Sequence, residues 1–179
     1  MIKDLGVGYG VFVRQEAPIS LKDNMLINVG EAYIVVNIIH GCLMQQDQDL
    51  QSYVQNGYGA EGSQVSHHSL HVPADLDINA DDGTIKLKLK IFGGPSAGEI
   101  FYYKQDLMQK PIVIGRTPEC DIRINDKLLS KCQASIAFSP DDASWILSDG
   151  KDNKPSTNGT WLYLNENFSM HSGMIFKAN

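Results

Sequence analysis

Short runs rich in Ile, Val, Leu and aromatic residues, each closed by turn-forming residues, follow one another along this chain and leave little room for helices. Runs at 11–14, 33–39, 85–92, 99–104, 111–115, 121–125, 134–138, 145–148 and 160–164 read as strands. Gly93-Gly94-Pro95, Thr117-Pro118, Ser139-Pro140-Asp141-Asp142, Lys154-Pro155-Ser156 and Asn158-Gly159 punctuate them. In Lys86-Leu87-Lys88-Leu89-Lys90-Ile91 the strict alternation predicts a strand with one wet face and one buried face. No stretch keeps helical periodicity for three turns, and residues 47–54 suit a turn or two of helix at most. Many short strands at this spacing predict an all-β sandwich or barrel.

Composition narrows the function classes. The 179 residues carry 15 Lys and Arg against 21 Asp and Glu, a net charge of −6, which argues against a nucleic-acid partner. Apolar stretches such as residues 32–39 are too short to span a bilayer, so no membrane partner is expected. The start, Met1-Ile2-Lys3-Asp4, has no apolar signal core. Cys42, Cys120 and Cys132 are widely and unevenly spaced, which argues against a disulfide framework. An intracellular, reducing location is expected, with Cys120 and Cys132 as small buried side chains.

Two features organise the chain. Residues 40–82 are rich in Gln, Asn, Asp, Gly, Ser and His, and read as a long polar linker that needs no core of its own but must lie against something, such as a docked partner. There is also an internal repeat: Gly10-Val11-Phe12-Val13 matches Gly159-Thr160-Trp161-Leu162, and at the same offset residues 21–28 lie over residues 170–177. Copy one continues through a further strand-like run, residues 31–39, whereas copy two stops. The expected division is therefore 1–39 as the closing part of one domain, 40–82 as linker, and 83–179 as a second domain lacking its final strand. Either the chain is an excerpt of a longer protein, or residues 32–39 of this or a neighbouring chain pair beside the core strands.

Polar residues gather in the turns of the second copy. Gly115-Arg116 ends one strand, Ser130-Lys131 sits in a later turn, and Ser156-Thr157-Asn158-Gly159-Thr160 opens another strand, with Lys127, Lys151 and Lys154 in the same loops. Arg offers a planar fork to phosphate oxygens, Lys a mobile point charge, and Ser, Thr and Asn short donors. Such a set suits a small anion site, although the same residues also suit ordinary β-turns.

The motifs Ile114-Gly115-Arg116, Cys120-Asp121-Ile122-Arg123-Ile124-Asn125-Asp126, Leu129-Ser130-Lys131 and Ser156-Thr157-Asn158-Gly159-Thr160-Trp161-Leu162, in that order, resemble the forkhead-associated (FHA) domain over about residues 84–179. The resemblance implies an eleven-stranded β-sandwich whose loops at one end bind phosphothreonine peptides. It implies that Arg116 and Ser130 contact the phosphate, Lys131 flanks it, Thr157 lies beside it and Asn158 hydrogen-bonds the peptide backbone. Gly115 and Gly159 would set the turns, and residues 151–155 and 139–144 would choose the partner. The family usually has His three positions after the Ser, where it braces the loops; here Gln133 stands there, able to donate and accept. The N-terminal segment resembles the closing half of a second FHA domain without phosphate chemistry, since Tyr9 and Val11 replace Asn and Thr.

Two readings stay open at this level. One is a non-enzymatic phosphothreonine reader within an adaptor or scaffold; the other is a constitutive structural subunit of a larger assembly. No catalytic residues, cofactor or metal are expected. Gly6-Val7-Gly8-Tyr9-Gly10 lacks the spacing and the following helix of a nucleotide loop, and His67-His68-Ser69-Leu70-His71 lacks a further ligand at fixed spacing. Asn158-Gly159-Thr160 and Asn167-Phe168-Ser169 fit a glycosylation sequon without a signal peptide.

Overall fold

The computed structural model describes residues 10–55, 69–107, 110–164 and 172–178. In chain order the elements are β1 (Val11–Arg14), β2 (Ile19–Ser20), β3 (Leu26–Val29), β4 (Ala32–His40), α1 (Leu43–Gln46), α2 (Gln48–Gln55) and β5 (Ser69–His71). They continue with β6 (Ile85–Phe92), β7 (Glu99–Lys104), β8 (Ile112–Gly115), β9 (Ile122–Arg123), β10 (Ala134–Ser139), β11 (Ser144–Asp149), β12 (Trp161–Tyr163) and β13 (Phe176–Ala178). The strands form an eight-stranded sheet, ordered β13-β1-β12-β3-β4-β6-β7-β5, and a five-stranded sheet, ordered β2-β11-β10-β8-β9. Val13, Ile34, Val36, Leu87, Leu89 and Ile91 from the first sheet meet Ile112, Ile114, Ile136, Trp145 and Leu147 from the second in one apolar core. The expected two-sheet sandwich is present.

The division of the chain is not the expected one. Residues 10–40 are part of the same sandwich, because β1, β3 and β4 lie inside the eight-stranded sheet and β2 pairs with β11 in the other. Their apolar side chains have no separate core to enter and join the common one instead. β4 pairs with β6 along eight residues, so the strand expected to lie beside the core strands comes from this chain.

The segments matched in the sequence lie side by side in the eight-stranded sheet. The offset of 149 that carries Val13 onto Leu162 also carries Phe12 onto Trp161, Ile27 onto Phe176 and Asn28 onto Lys177. Val13 pairs directly with Leu162. Trp161 pairs with Asn28 as Phe12 pairs with Lys177, and Leu162 with Ile27 as Val13 with Phe176. β1 and β12 thus pair at Val13 and Leu162, with β13 on the far side of β1 and β3 on the far side of β12.

Residues 40–82 also depart from expectation. The short helix expected at 47–54 is α2, and its start is capped by Asp47, whose Oδ1 accepts the N–H groups of Asp49 and Leu50. Leu43, Leu50 and Leu76 are buried with Ile39, Ile100 and Tyr102 in a second apolar cluster. The described parts of the segment, residues 41–55 and 69–82, pack on this chain's own sheet. Consequently the lysine face of β6 is covered: Lys86 and Lys88 are buried. Lys88 Nζ reaches Asp47 and Asp49, each at 2.7 Å, and Lys90 reaches Asp49 at 2.8 Å. Asp82 bridges Lys86 and Lys104, which sit opposite each other on β6 and β7. Alternation alone cannot tell water from carboxylates as the partner of a lysine row.

Cys120 is buried as expected, whereas Cys132 is only half-buried; Cys42 is buried as well.

Candidate functional site

The site begins where β8 ends. A Cβ at Gly115 would overlap the Lys131 carbonyl, so only glycine lets the strand end pass this close to the following loop. The Arg116 N–H donates to the Ser130 carbonyl at 3.3 Å, which fixes Arg116 beside Ser130 through the backbone. The Arg116 side chain is exposed, and its guanidinium has no hydrogen bond or ion pair among the described residues.

Ser130 faces Thr157 across the loop pair. Its Oγ accepts the Thr157 N–H at 2.8 Å and lies 3.2 Å from Thr157 Oγ1. One position further, Asn158 Nδ2 donates to the Leu128 carbonyl at 2.7 Å, and Trp161 Nε1 donates to the Asn158 carbonyl. Lys131 is exposed next to Ser130.

Gln133 ties these loops together. Its side chain is 1 % exposed, and Oε1 accepts the Ser130 N–H at 2.9 Å. Nε2 donates to Ser156 Oγ at 2.8 Å and to the Gly159 carbonyl at 2.9 Å. Its backbone carbonyl accepts the Gly150 N–H and the Thr160 hydroxyl. Both donors of the amide are used, and the side chain links the Ser130 loop to the turn at 156–159. Gly159 adopts a φ of +79°, and the Arg14 side chain from β1 packs against it.

Two carboxylates that sequence reasoning gave no role complete the scaffold. Asp149 accepts the Ser156 N–H, the Ser156 hydroxyl and the Thr160 hydroxyl. Asp126, buried, accepts the Leu128 N–H at 2.8 Å and the Glu31 N–H at 2.9 Å, so the β3–β4 turn holds the loop that carries Ser130. The available signal was an Asp at each turn, able to bond backbone N–H groups close by.

Arg116, Ser130, Lys131, Thr157 and Asn158 therefore share one end of the sandwich. Residues 151–154 stand there as well, on a tight turn in which the Lys151 N–H bonds the Lys154 carbonyl and the Lys154 N–H bonds the Lys151 carbonyl. Residues 139–144 do not join them. They connect β10 and β11 at the far end of those six-residue strands, roughly 17 Å away at 3.3 Å per residue.

Glu119 holds its carboxyl below the usual range through the Thr117 hydroxyl and its own backbone N–H, with Lys131 and Arg123 adding positive charge. Among the described residues no group of His, Cys, Asp and Glu is arranged to hold a metal, and no helix is long and apolar enough to cross a membrane. His71 stacks on Phe101 and pairs with Glu99, while His67 and His68 lie outside the described residues. So do residues 6–9 of the glycine-rich stretch and the sequon at Asn167.

The family model of the FHA domain matches residues 112–176, from the start of β8 to the first residue of β13. No curated protein and no solved structure matches the chain.

Proposed function

We propose, from the match of the FHA-domain model to residues 112–176, that the chain is a non-enzymatic protein–protein interaction module that binds phosphothreonine segments for an adaptor or scaffold. The observation that carries this reading is the Ser130–Thr157 contact beside the uncompensated Arg116 guanidinium. A phosphothreonine brings a charge of about −1.5 to −2 and three acceptor oxygens. Arg116 supplies the planar fork, and Lys131 flanks it with a second cation. Ser130 can turn its O–H from Thr157 Oγ1 to a phosphate oxygen while Oγ still accepts the Thr157 N–H. Asn158 has committed Nδ2 to Leu128, which leaves Oδ1 to accept an N–H of the peptide backbone. Each charge-assisted bond contributes about 1.5–3 kcal/mol.

A purely architectural subunit would be favoured by a binding loop without its brace and by a polar segment that needs a partner to lie on. Against it stand the hydrogen bonds by which Gln133 joins the loops and the packing of Leu43, Leu50 and Leu76 on the chain's own sheet.

The test is a titration of phosphothreonine peptides against the full chain, with unphosphorylated and phosphoserine controls. Arg116→Ala should weaken phosphopeptide binding at least tenfold without shifting the melting temperature, since the side chain is exposed and unpaired. Equal binding by the variant, or equal binding of unphosphorylated peptide, would overturn the assignment.

A further inference from the structure

Lys177 stands on β13, at one edge of the eight-stranded sheet, and its side chain reaches across two strands to a third. Its Nζ lies 5.5 Å from the centre of the Phe12 ring on β1 and 4.7 Å from that of Trp161 on β12. Beyond them it donates to Asn28 Oδ1 on β3. Val13, Leu162 and Ile27 enter the core, so Phe12, Trp161 and Asn28, each one position along its strand, share the opposite face. No carboxylate among the described residues pairs with Lys177, and burial pulls its amine below the usual lysine range. Two ring faces and one amide oxygen hold this charge.

Trp161 and Asn28 each lead on to the loops of the candidate site. Trp161 Nε1 donates to the Asn158 carbonyl at 3.0 Å, and Asn158 Nδ2 donates to the Leu128 carbonyl at 2.7 Å. On the other side, Asn28 Nδ2 donates to the carbonyls of Gly30 and Ala32, at 3.2 and 3.0 Å, and so shapes the β3–β4 turn. In that turn the Glu31 N–H donates to Asp126 Oδ2 at 2.9 Å, while Asp126 Oδ1 accepts the Leu128 N–H at 2.8 Å. The turn is wedged in place. Gly30 has a φ of +57°, and a Cβ there would overlap the Asp126 carboxylate and the Leu129 side chain. Both paths end on the backbone of Leu128, one at its carbonyl and one at its N–H, two positions before Ser130.

Resting on the phosphothreonine reading, we propose that Lys177 is a positioning residue for this site, setting the Ser130 loop from the outer face of the sheet through Trp161 and Asn28. The ammonium fixes the indole plane and the Asn28 side chain together, because both bind the same charge. Without it the two paths lose their common anchor and can reorient separately. Ser130 and Asn158 then present their polar groups in a less fixed geometry, and part of the preorganisation for the phosphopeptide is lost. Lys177 itself makes no contact with the peptide in this scheme.

The experiment uses the full chain and a phosphothreonine peptide selected by the titration above. Lys177→Met keeps the stem that packs on Phe12 and removes the charge; affinity should fall about threefold or more, the share that one ring-held cation can carry. Lys177→Arg keeps a cation able to stack on aromatic faces and should bind as the wild type does. Val36→Ala, a core change on β4 outside this network, should lower the urea midpoint without changing affinity while the chain remains folded. In heteronuclear spectra the Leu128 and Ser130 amide resonances should move in Lys177→Met and hold their places in Val36→Ala. Equal affinity of wild type and Lys177→Met, or an equal loss in Lys177→Arg or Val36→Ala, overturns the proposal and leaves the phosphothreonine reading standing. Absence of phosphate-dependent binding by the wild-type chain overturns that reading, and the proposal with it.

Discussion

Gln133 accepts the Ser130 backbone N–H on its side-chain oxygen at 2.9 Å, inside a cavity it fills almost without exposure. Through the same side chain it donates to Ser156 and Gly159, so the position of Ser130 is set by the loop that carries Thr157 and Asn158. Gln133→Ala removes all three bonds and strands a backbone N–H and a carbonyl. The expected loss is about 2–3 kcal/mol of stability, read as a lower urea midpoint. Phosphopeptide affinity should fall with it, in contrast to Arg116→Ala, which should lower affinity alone. Wild-type affinity in Gln133→Ala would mean that the brace does not position the site.

Gly115 is a second point of close approach. The obstruction a Cβ would meet is the Lys131 carbonyl, a backbone atom beside Ser130, with Cys120 Sγ behind it. Neither can swing away as a long side chain would. Gly115→Ala is expected to destabilise by about 1–3 kcal/mol, the range for forcing extra volume into a packed site. It should also move the Ser130 and Lys131 amide resonances in a heteronuclear spectrum more than those of β6. Unperturbed Ser130 and Lys131 resonances would contradict the contact.

The parts of this structure legible in the sequence are those fixed by neighbouring residues. Alternation marked β6, and turn residues marked the loops that bring Arg116, Ser130 and Asn158 together. What stayed hidden depends on distant pairing. Lys88 meets Asp49 across 39 positions and Asp47 across 41, and no local pattern distinguishes that burial from exposure to water. Polar composition concealed the second core because it draws only a few leucines from this segment, Leu43, Leu50 and Leu76. The misplacement of residues 139–144 has a simpler cause: successive hairpin turns alternate between the two ends of a sheet, so the turn after β10 points away from the loop before it.

Asp47 is the counter-ion whose loss should cost most. It is buried, receives Lys88 Nζ at 2.7 Å and the Tyr102 hydroxyl at 3.1 Å, and caps α2. The Tyr102 hydroxyl has its proton held firmly by burial and by the negative charge of Asp47. Asp47→Ala leaves a buried ammonium one partner short, and a loss of about 3–5 kcal/mol is expected. Breaking the exposed pair of Lys110 with Asp121 by Lys110→Ala should cost about 1 kcal/mol or less. Urea unfolding of the two variants side by side checks the ranking; equal midpoints would show that the buried network adds nothing beyond a surface pair.

The same network sets an acid limit on stability. Burial tends to raise the Asp49 carboxyl, but hydrogen bonds and charge from Lys88 and Lys90 outweigh it and hold the group below the usual carboxylate range. Asp82 is held far lower, by Lys104 first and by Thr84 and Lys86 after it. A carboxylate depressed in the folded state contributes stability that is present above its unfolded pKa, about 3.9, and is lost as pH falls towards the folded value. The urea midpoint should therefore change little between pH 7 and 5 and drop steeply below about pH 4. Asp49→Asn should start from a lower midpoint at pH 7 and lose less on acidification, because one of the groups that must be protonated is gone. An acid slope identical in wild type and Asp49→Asn would exclude Asp49 as a source of that stability.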